Sequence, residues 1–262
     1  KGSIDKVEMQ TSLMNSEFEA GFMLMKMEYY KKLLKVQYSP YFGRVDFKED
    51  TKEVYIGLTN IEKDLRYFVY DWRSPIASLF YDYGIGPCKY DAPDGEIKGY
   101  MSLRRQYKIE DNKLIRVFDN DLNVVDECLQ EVLSEKSSDK MKNIVNTIQG
   151  EQNEIIRNVS NKHLIVQGIA GSGKTSVALH RIAFLLYKIK NLKSSNVLIF
   201  SPNNVFSEYI SNVLPELGEE NTGETTFHDF AISYAKEFKQ VETFTDFIER
   251  FYTGKENKPE FV

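Results

Sequence analysis

The sequence predicts an α/β protein in three parts: a long helix, a small antiparallel β-module, and a nucleotide-loop domain in which parallel strands alternate with helices. Three observations carry this. Apolar residues recur at three- and four-residue steps between Ile4 and Val36. The period then changes to two between Tyr41 and Phe118. Finally, Gly168-Ile169-Ala170-Gly171-Ser172-Gly173-Lys174-Thr175 fits the pattern G-x-x-x-x-G-K-[ST] in full.

The chain as a whole bounds these parts. It has 262 residues, of which 42% are hydrophobic and 28% charged, which suits one or two globular domains. A net charge of −5 argues against a freestanding basic nucleic-acid binder. No apolar run reaches the roughly 18 residues of a membrane span, and the charged, Met-rich start does not resemble a signal peptide. Cys88 and Cys128 form no C-x-x-C pair, so they read as reduced thiols of a cytoplasmic protein. His163, His180 and His228 are scattered, which predicts no metal site among them.

Residues 1–38 read as one helical arm. Ile4, Val7, Met14, Phe18 and Met25 share one stripe, which slides to Phe22, Tyr29, Leu33 and Val36. Such a helix is either one arm of a coiled coil or a core helix of its own domain. Ser39-Pro40 ends it, because the residue before proline avoids helical angles. Residues 39–118 form the β-rich module, with strands at Val54–Leu58 and Tyr67–Tyr70 and a further candidate at Ala77–Tyr81. Pro93-Asp94-Gly95 is a turn, followed by strands over Glu96–Gln106 and Tyr107–Phe118 with Asp111-Asn112 between them. Asp71-Trp72-Arg73-Ser74-Pro75 interrupts two strands and reads as a structural corner or a contact surface.

Residues 119–147 return to a helical period and read as connecting helices. Val124-Val125-Asp126-Glu127 has the look of a Mg²⁺-binding acid pair but lies upstream of the glycine loop and inside that pattern. Residues 148–262 form the nucleotide-loop domain. Leu164-Ile165-Val166 is predicted as a buried strand entering the loop, and the steps from Ala178 to Ile189 predict the helix leaving it. Glycines at 168, 171 and 173 allow an open turn whose backbone N–H groups point inward at phosphates. Lys174 supplies a cation for the β- and γ-phosphates and Thr175 a hydroxyl for Mg²⁺; the helix start adds its positive dipole end. Lys193–Asn196 is a turn. Val197–Phe200 is predicted as a second buried strand closing a right-handed βαβ unit. Val205–Leu217 reads as a helix, Thr225–His228 opens the next element, and residues 235–262 are helix-like.

The glycine loop followed by His180-Arg181-Ile182-Ala183-Phe184-Leu185 resembles motif I of superfamily 1 helicases of the UvrD, Rep and PcrA type. Ile148-Gln149-Gly150-Glu151-Gln152 is similar to their adenine-reading Q motif. Ser201-Pro202-Asn203 stands where their motif Ia stands, and Thr226-Phe227-His228 resembles the following DNA-contact motif. The closer similarity is to the HelD family, helicase-like ATPases that bind bacterial RNA polymerase and release it from nucleic acid. Tyr41–Phe47, Tyr70–Ile76 and Ser201–Gly218 carry it.

The resemblance implies the first part of a RecA-like domain that takes ATP and Mg²⁺. It implies Lys174 and Thr175 as catalytic groups, with Thr175 reaching the metal. Gln152, Gly168, Ala170, Gly171, Ser172, Gly173 and Ser176 join them as nucleotide contacts. It implies RNA polymerase as partner, weak DNA contact through Ser201, Pro202, Asn203, Thr226, Phe227 and His228, and no membrane. Ser176 stands where UvrD-like helicases usually carry Arg, and the motif Ia lysine and paired alanines are absent. No Asp-Glu metal motif, Q-x-x-R motif or arginine finger follows Thr175. By the resemblance the chain therefore runs from within a coiled coil to partway through the first RecA-like domain. The alternatives are a conventional DNA helicase or translocase and a non-catalytic interaction module. A GTPase is disfavoured, since Asn161-Lys162-His163-Leu164 lacks the acid of the guanine-reading motif and precedes the loop.

Overall fold

The structure, a computed structural model, describes residues 2–48, 52–119, 148–203, 206–207, 211, 213–234, 242 and 244–253. The expected connecting helices at 119–147 and the Val124–Glu127 segment fall almost wholly outside the described residues. So do Cys128 and most of 235–243 and 254–262.

Helix α1 spans Gly2–Val36, as its apolar steps predict. It is not a core helix. Phe18 is 76% exposed and Met25 70%, and Phe22, Met23 and Leu24 are exposed too. Its last turns meet the body, where Val36 is buried, the Lys35 ammonium donates to the carbonyl of Pro215 (3.2 Å), and Tyr29 pairs with the backbone of Glu62.

The β-module follows as β1 (Gly43–Phe47), β2 (Lys52–Gly57), β3 (Ile61–Lys63) and β4 (Arg66–Asp71). Helix α2 (Ser78–Asp82) comes next, then β5 (Gly86–Ala92), β6 (Gly95–Glu110) and β7 (Lys113–Asp119). The sheet runs β3-β4-β2-β1-β6-β5, with β7 also on β6. Every pairing is antiparallel except β2 with β4. The turns at Asp64-Leu65 and Asp111-Asn112 both hold positive φ at two successive residues, the hairpin geometry that matches strand twist. Alternation in β1 and β2 sends Val45, Phe47, Val54 and Ile56 to the buried face.

Ala77–Tyr81 is helical rather than a strand. After Pro75 the N–H groups of Ala77, Ser78, Leu79 and Phe80 each bond three residues back. Leu79, Phe80 and Tyr81 are all buried between the sheet and the helices that follow. A short apolar run does not distinguish these states by period.

The second half contains α3 (Gly150–Arg157) and α4 (Lys174–Lys188). Then come β8 (Leu198–Ser201), α5 (Val213–Glu216) and β9 (Gly223–Thr226), followed by α6 (Phe227–Tyr234) and α7 (Phe244–Thr253). Leu164-Ile165-Val166 corrects the expectation of a buried strand. No described strand pairs with it, and Ile165 is 92% exposed. A buried strand needs ladder partners on both edges and cover on both faces, and the described residues provide neither. Likewise β8 pairs in parallel with β9, not with 164–166, and Leu198 and Phe200 are about half exposed. One continuous core joins the sheet, α2, α3, α4 and α5. No described helix is long and apolar enough to cross a membrane.

Candidate nucleotide site

Gly168–Thr175 forms an open turn that ends in the first residues of α4. Gly171 and Gly173 have φ of 81° and 79°, which L side chains rarely adopt. Gly173 is also the N-cap of α4, and its carbonyl accepts the first helical bond from Val177 (2.8 Å). The turn is closed by the Ser172 N–H donating to Ile169 (3.2 Å). The Lys174 ammonium donates to the carbonyls of Gly168 (2.9 Å) and Ile169 (2.7 Å), so the cation lies against the loop's own backbone. Ala170, Gly171 and Ser172 are exposed, and Thr175 is half-buried at the helix start.

Gln152 reaches the loop from α3. Its Oε1 accepts the N–H of Gln149 (3.2 Å), which squares off the start of that helix. Its Nε2 lies 3.4 Å from where a side chain at Gly173 would begin. The structure therefore brings Gln152, Gly173, Lys174 and Thr175 into one neighbourhood, although 20 residues of sequence and a change of element separate the first two.

Ser176 is buried beneath the loop rather than aimed out of it. Its carbonyl accepts the Nδ1–H of His180 (2.7 Å). That bond leaves Nε2 of the ring as the bare nitrogen. Burial pushes the His180 pKa down to about 4. The His180 ring meets Trp72 edge to face at 5.8 Å.

Trp72 belongs to the corner after β4, which is the structural corner its sequence suggests and not an exposed contact surface. Asp71, Trp72, Arg73 and Ser74 are all buried. Arg73 forks onto Asp71 (2.8 and 2.7 Å), reaches Glu219, and donates to the carbonyl of Ala183 in α4 (3.4 Å). Arg157, at the end of α3, donates to the carbonyls of Trp72 (2.6 Å), Arg73 (3.3 Å) and Ser74 (3.2 Å). Arg157 and Asn153 carry no sequence motif, and His180 stands in the stretch that resembles motif I without a role of its own. The only forewarning was the interruption of two strands by a Trp-Arg pair.

The remaining candidates sit together, at the end of the parallel pair where Ser201 is in register with Thr226. Their side chains act locally. The Ser201 hydroxyl bonds Ser207 (2.5 Å), and Asn203 accepts the N–H of Phe206 (2.8 Å). Thr226 caps α6 by accepting the N–H of Asp229 (3.1 Å) and donating to its carboxylate (2.7 Å). Pro202, Phe227 and His228 are exposed, Phe227 at 73%.

Two family models match the chain, one over each half. Residues 6–139, just over half of the chain, match the DNA helicase IV HelD N-terminal domain. Residues 148–258 match the UvrD/REP helicase N-terminal domain. No curated protein matches the chain.

Proposed function

Since the chain belongs to the HelD family of UvrD-type helicases, we propose that Gly168–Thr175 binds Mg²⁺-ATP and that the chain forms the nucleotide-binding front of an ATPase motor that releases RNA polymerase from nucleic acid. The observation that carries this reading is the meeting of Gln152 with Gly173 at the mouth of a complete glycine loop. A Cβ at either positive-φ glycine would be strained, and the first N–H groups of α4 have no intrahelical partner. The cradle therefore suits an anion at a helix start.

When bound, Mg²⁺-ATP supplies the phosphoanhydride to be split and the metal that neutralises its charge. The chain's own residues would bind and orient it. The Lys174 ammonium, now on the carbonyls of Gly168 and Ile169, would hold the β- and γ-phosphate oxygens instead. The Thr175 hydroxyl would ligate the metal, and the Gln152 amide would offer one acceptor and one donor to the base edge. Gly168, Ala170, Gly171, Ser172 and Ser176 shape the loop. Hydrolysis further needs a metal-holding carboxylate, a positioned water and a cation on the γ-phosphate. No Asp-Glu pair follows Thr175, so these residues account for binding, and hydrolysis is proposed for the full-length protein.

Lys174→Ala is expected to weaken Mg²⁺-ATP binding by about 1.5–3 kcal/mol, the range for a charge-assisted hydrogen bond. Calorimetry giving equal affinities for wild type and variant would remove the loop from the site. A conventional DNA translocase is the second reading, favoured by the UvrD/REP match and by Ser201 and Thr226 standing in register at one end of the β8–β9 pair. Co-sedimentation of the full-length protein with core RNA polymerase supports the first reading; strand separation on naked duplex without polymerase binding supports the second.

A further inference from the structure

We propose that Arg157 is a positioning residue for base recognition: by clasping the Trp72–Ser74 corner it sets where α3 lies against α4, and so holds Gln152 over the glycine loop. This rests on the reading of that loop as an adenine-nucleotide site.

Helix α3 has eight residues, too few to hold its place by helical propensity. Its position comes from what its side chains grip. The planar guanidinium of Arg157 offers five donors in a fixed fork. Four donations are made: Nε to the Asn153 side chain (3.0 Å), Nη1 to the carbonyls of Arg73 and Ser74, and Nη2 to that of Trp72. Its face lies over the Phe184 ring of α4, 5.2 Å from the centroid. Asn153 in turn donates to Asp82 of α2 (2.7 Å).

The corner that Arg157 grips is itself fastened to α4, by Arg73 on the Ala183 carbonyl and by Trp72 on His180. Both helices thus take their register from the same corner of the β-module, with Trp72 and Arg73 touching both. Gln152 stands on one helix and Gly173 caps the other. One direct strap also joins them, Arg181 on the carbonyl of Ile155 (2.7 Å). Loss of Arg157 should therefore shift α3 rather than detach it.

The test separates base reading from phosphate binding. Affinities of the intact protein for Mg²⁺-ATP, Mg²⁺-GTP and Mg²⁺-tripolyphosphate are measured by calorimetry for wild type, Arg157→Gln and Arg157→Lys, with Gln152→Ala as reference. Arg157→Gln is expected to lower the preference for ATP over GTP about tenfold, equivalent to one charge-assisted bond, with tripolyphosphate affinity unchanged. Arg157→Lys, which keeps the cation but not the fork, is expected to fall between. An unchanged preference in Arg157→Gln, or equal losses for all three ligands, overturns the proposal. If Arg157→Gln does not fold, an unchanged preference in Arg157→Lys overturns it. Failure of the nucleotide reading itself looks different: wild type then shows no preference for ATP at all.

Discussion

His180 shows how one residue of the loop helix records its burial. Its pKa is pushed down to about 4 from an ordinary 6.5 because the charged ring would lie dry beside Trp72. The neutral form is the one that folds. Above pH 6.5 the unfolded chain carries no extra proton there and the stability is whole. Between pH 6.5 and about 4 the unfolded state binds a proton that the native state refuses, so stability falls as pH falls. The loss amounts to about 3 kcal/mol, from 1.36 kcal/mol per pH unit. His180→Gln is expected to lack this part of the acid sensitivity; denaturant titrations of both proteins at pH 7 and pH 4.5 check it. The sequence places His180 in the stretch that resembles motif I but shows nothing of its burial against Trp72. The glycine loop was legible because its requirements are local: positive φ at two positions and a cation at the helix start. The burial of the Ser176 side chain was not legible, because helical phase turns it toward His180.

At the scale of elements, the corner after β4 decides how the two halves meet. Arg73 and Asp71 are almost fully buried and bonded at 2.7 Å. Removing one partner strands a charge in a dry site, so Arg73→Ala should cost about 3–5 kcal/mol. Replacing both, as Asp71→Asn with Arg73→Met, should recover a large part of that loss. Urea midpoints of the single and double variants test the pair, and additive losses would show that the two residues act independently. The long helix and the β-hairpins were legible from period and turn residues alone. Helix α2 and the segment at 164–166 were not. Both are short apolar runs, and what such runs become is settled by the elements packed around them. For α2 those are the sheet and α3. For 164–166 the described residues include no flanking strand.

For the whole molecule, the continuous core matters most. Val45 and Ile56 of the sheet belong to the same buried cluster as Ile156, Val177 and Leu214. Residues 148–262 expressed alone are therefore expected to remain unfolded by circular dichroism, and the intact chain to melt in one transition. A folded, nucleotide-binding 148–262 would refute that. The two family matches thus adjoin in sequence and share one interior. Helix α1 stands apart from this interior along most of its length. At about 1.5 Å per residue it extends roughly 50 Å, and it is seated through its final turns, at Val36 and at Lys35 on Pro215. Glu219, four residues further along from Pro215, bonds the Arg73 that grips α4. In mechanical terms α1 is a lever with its fulcrum beside the joint between α3 and α4. A tilt of a few degrees at that fulcrum sweeps the far tip through several ångströms, and a modest sideways push on the tip arrives at the fulcrum multiplied.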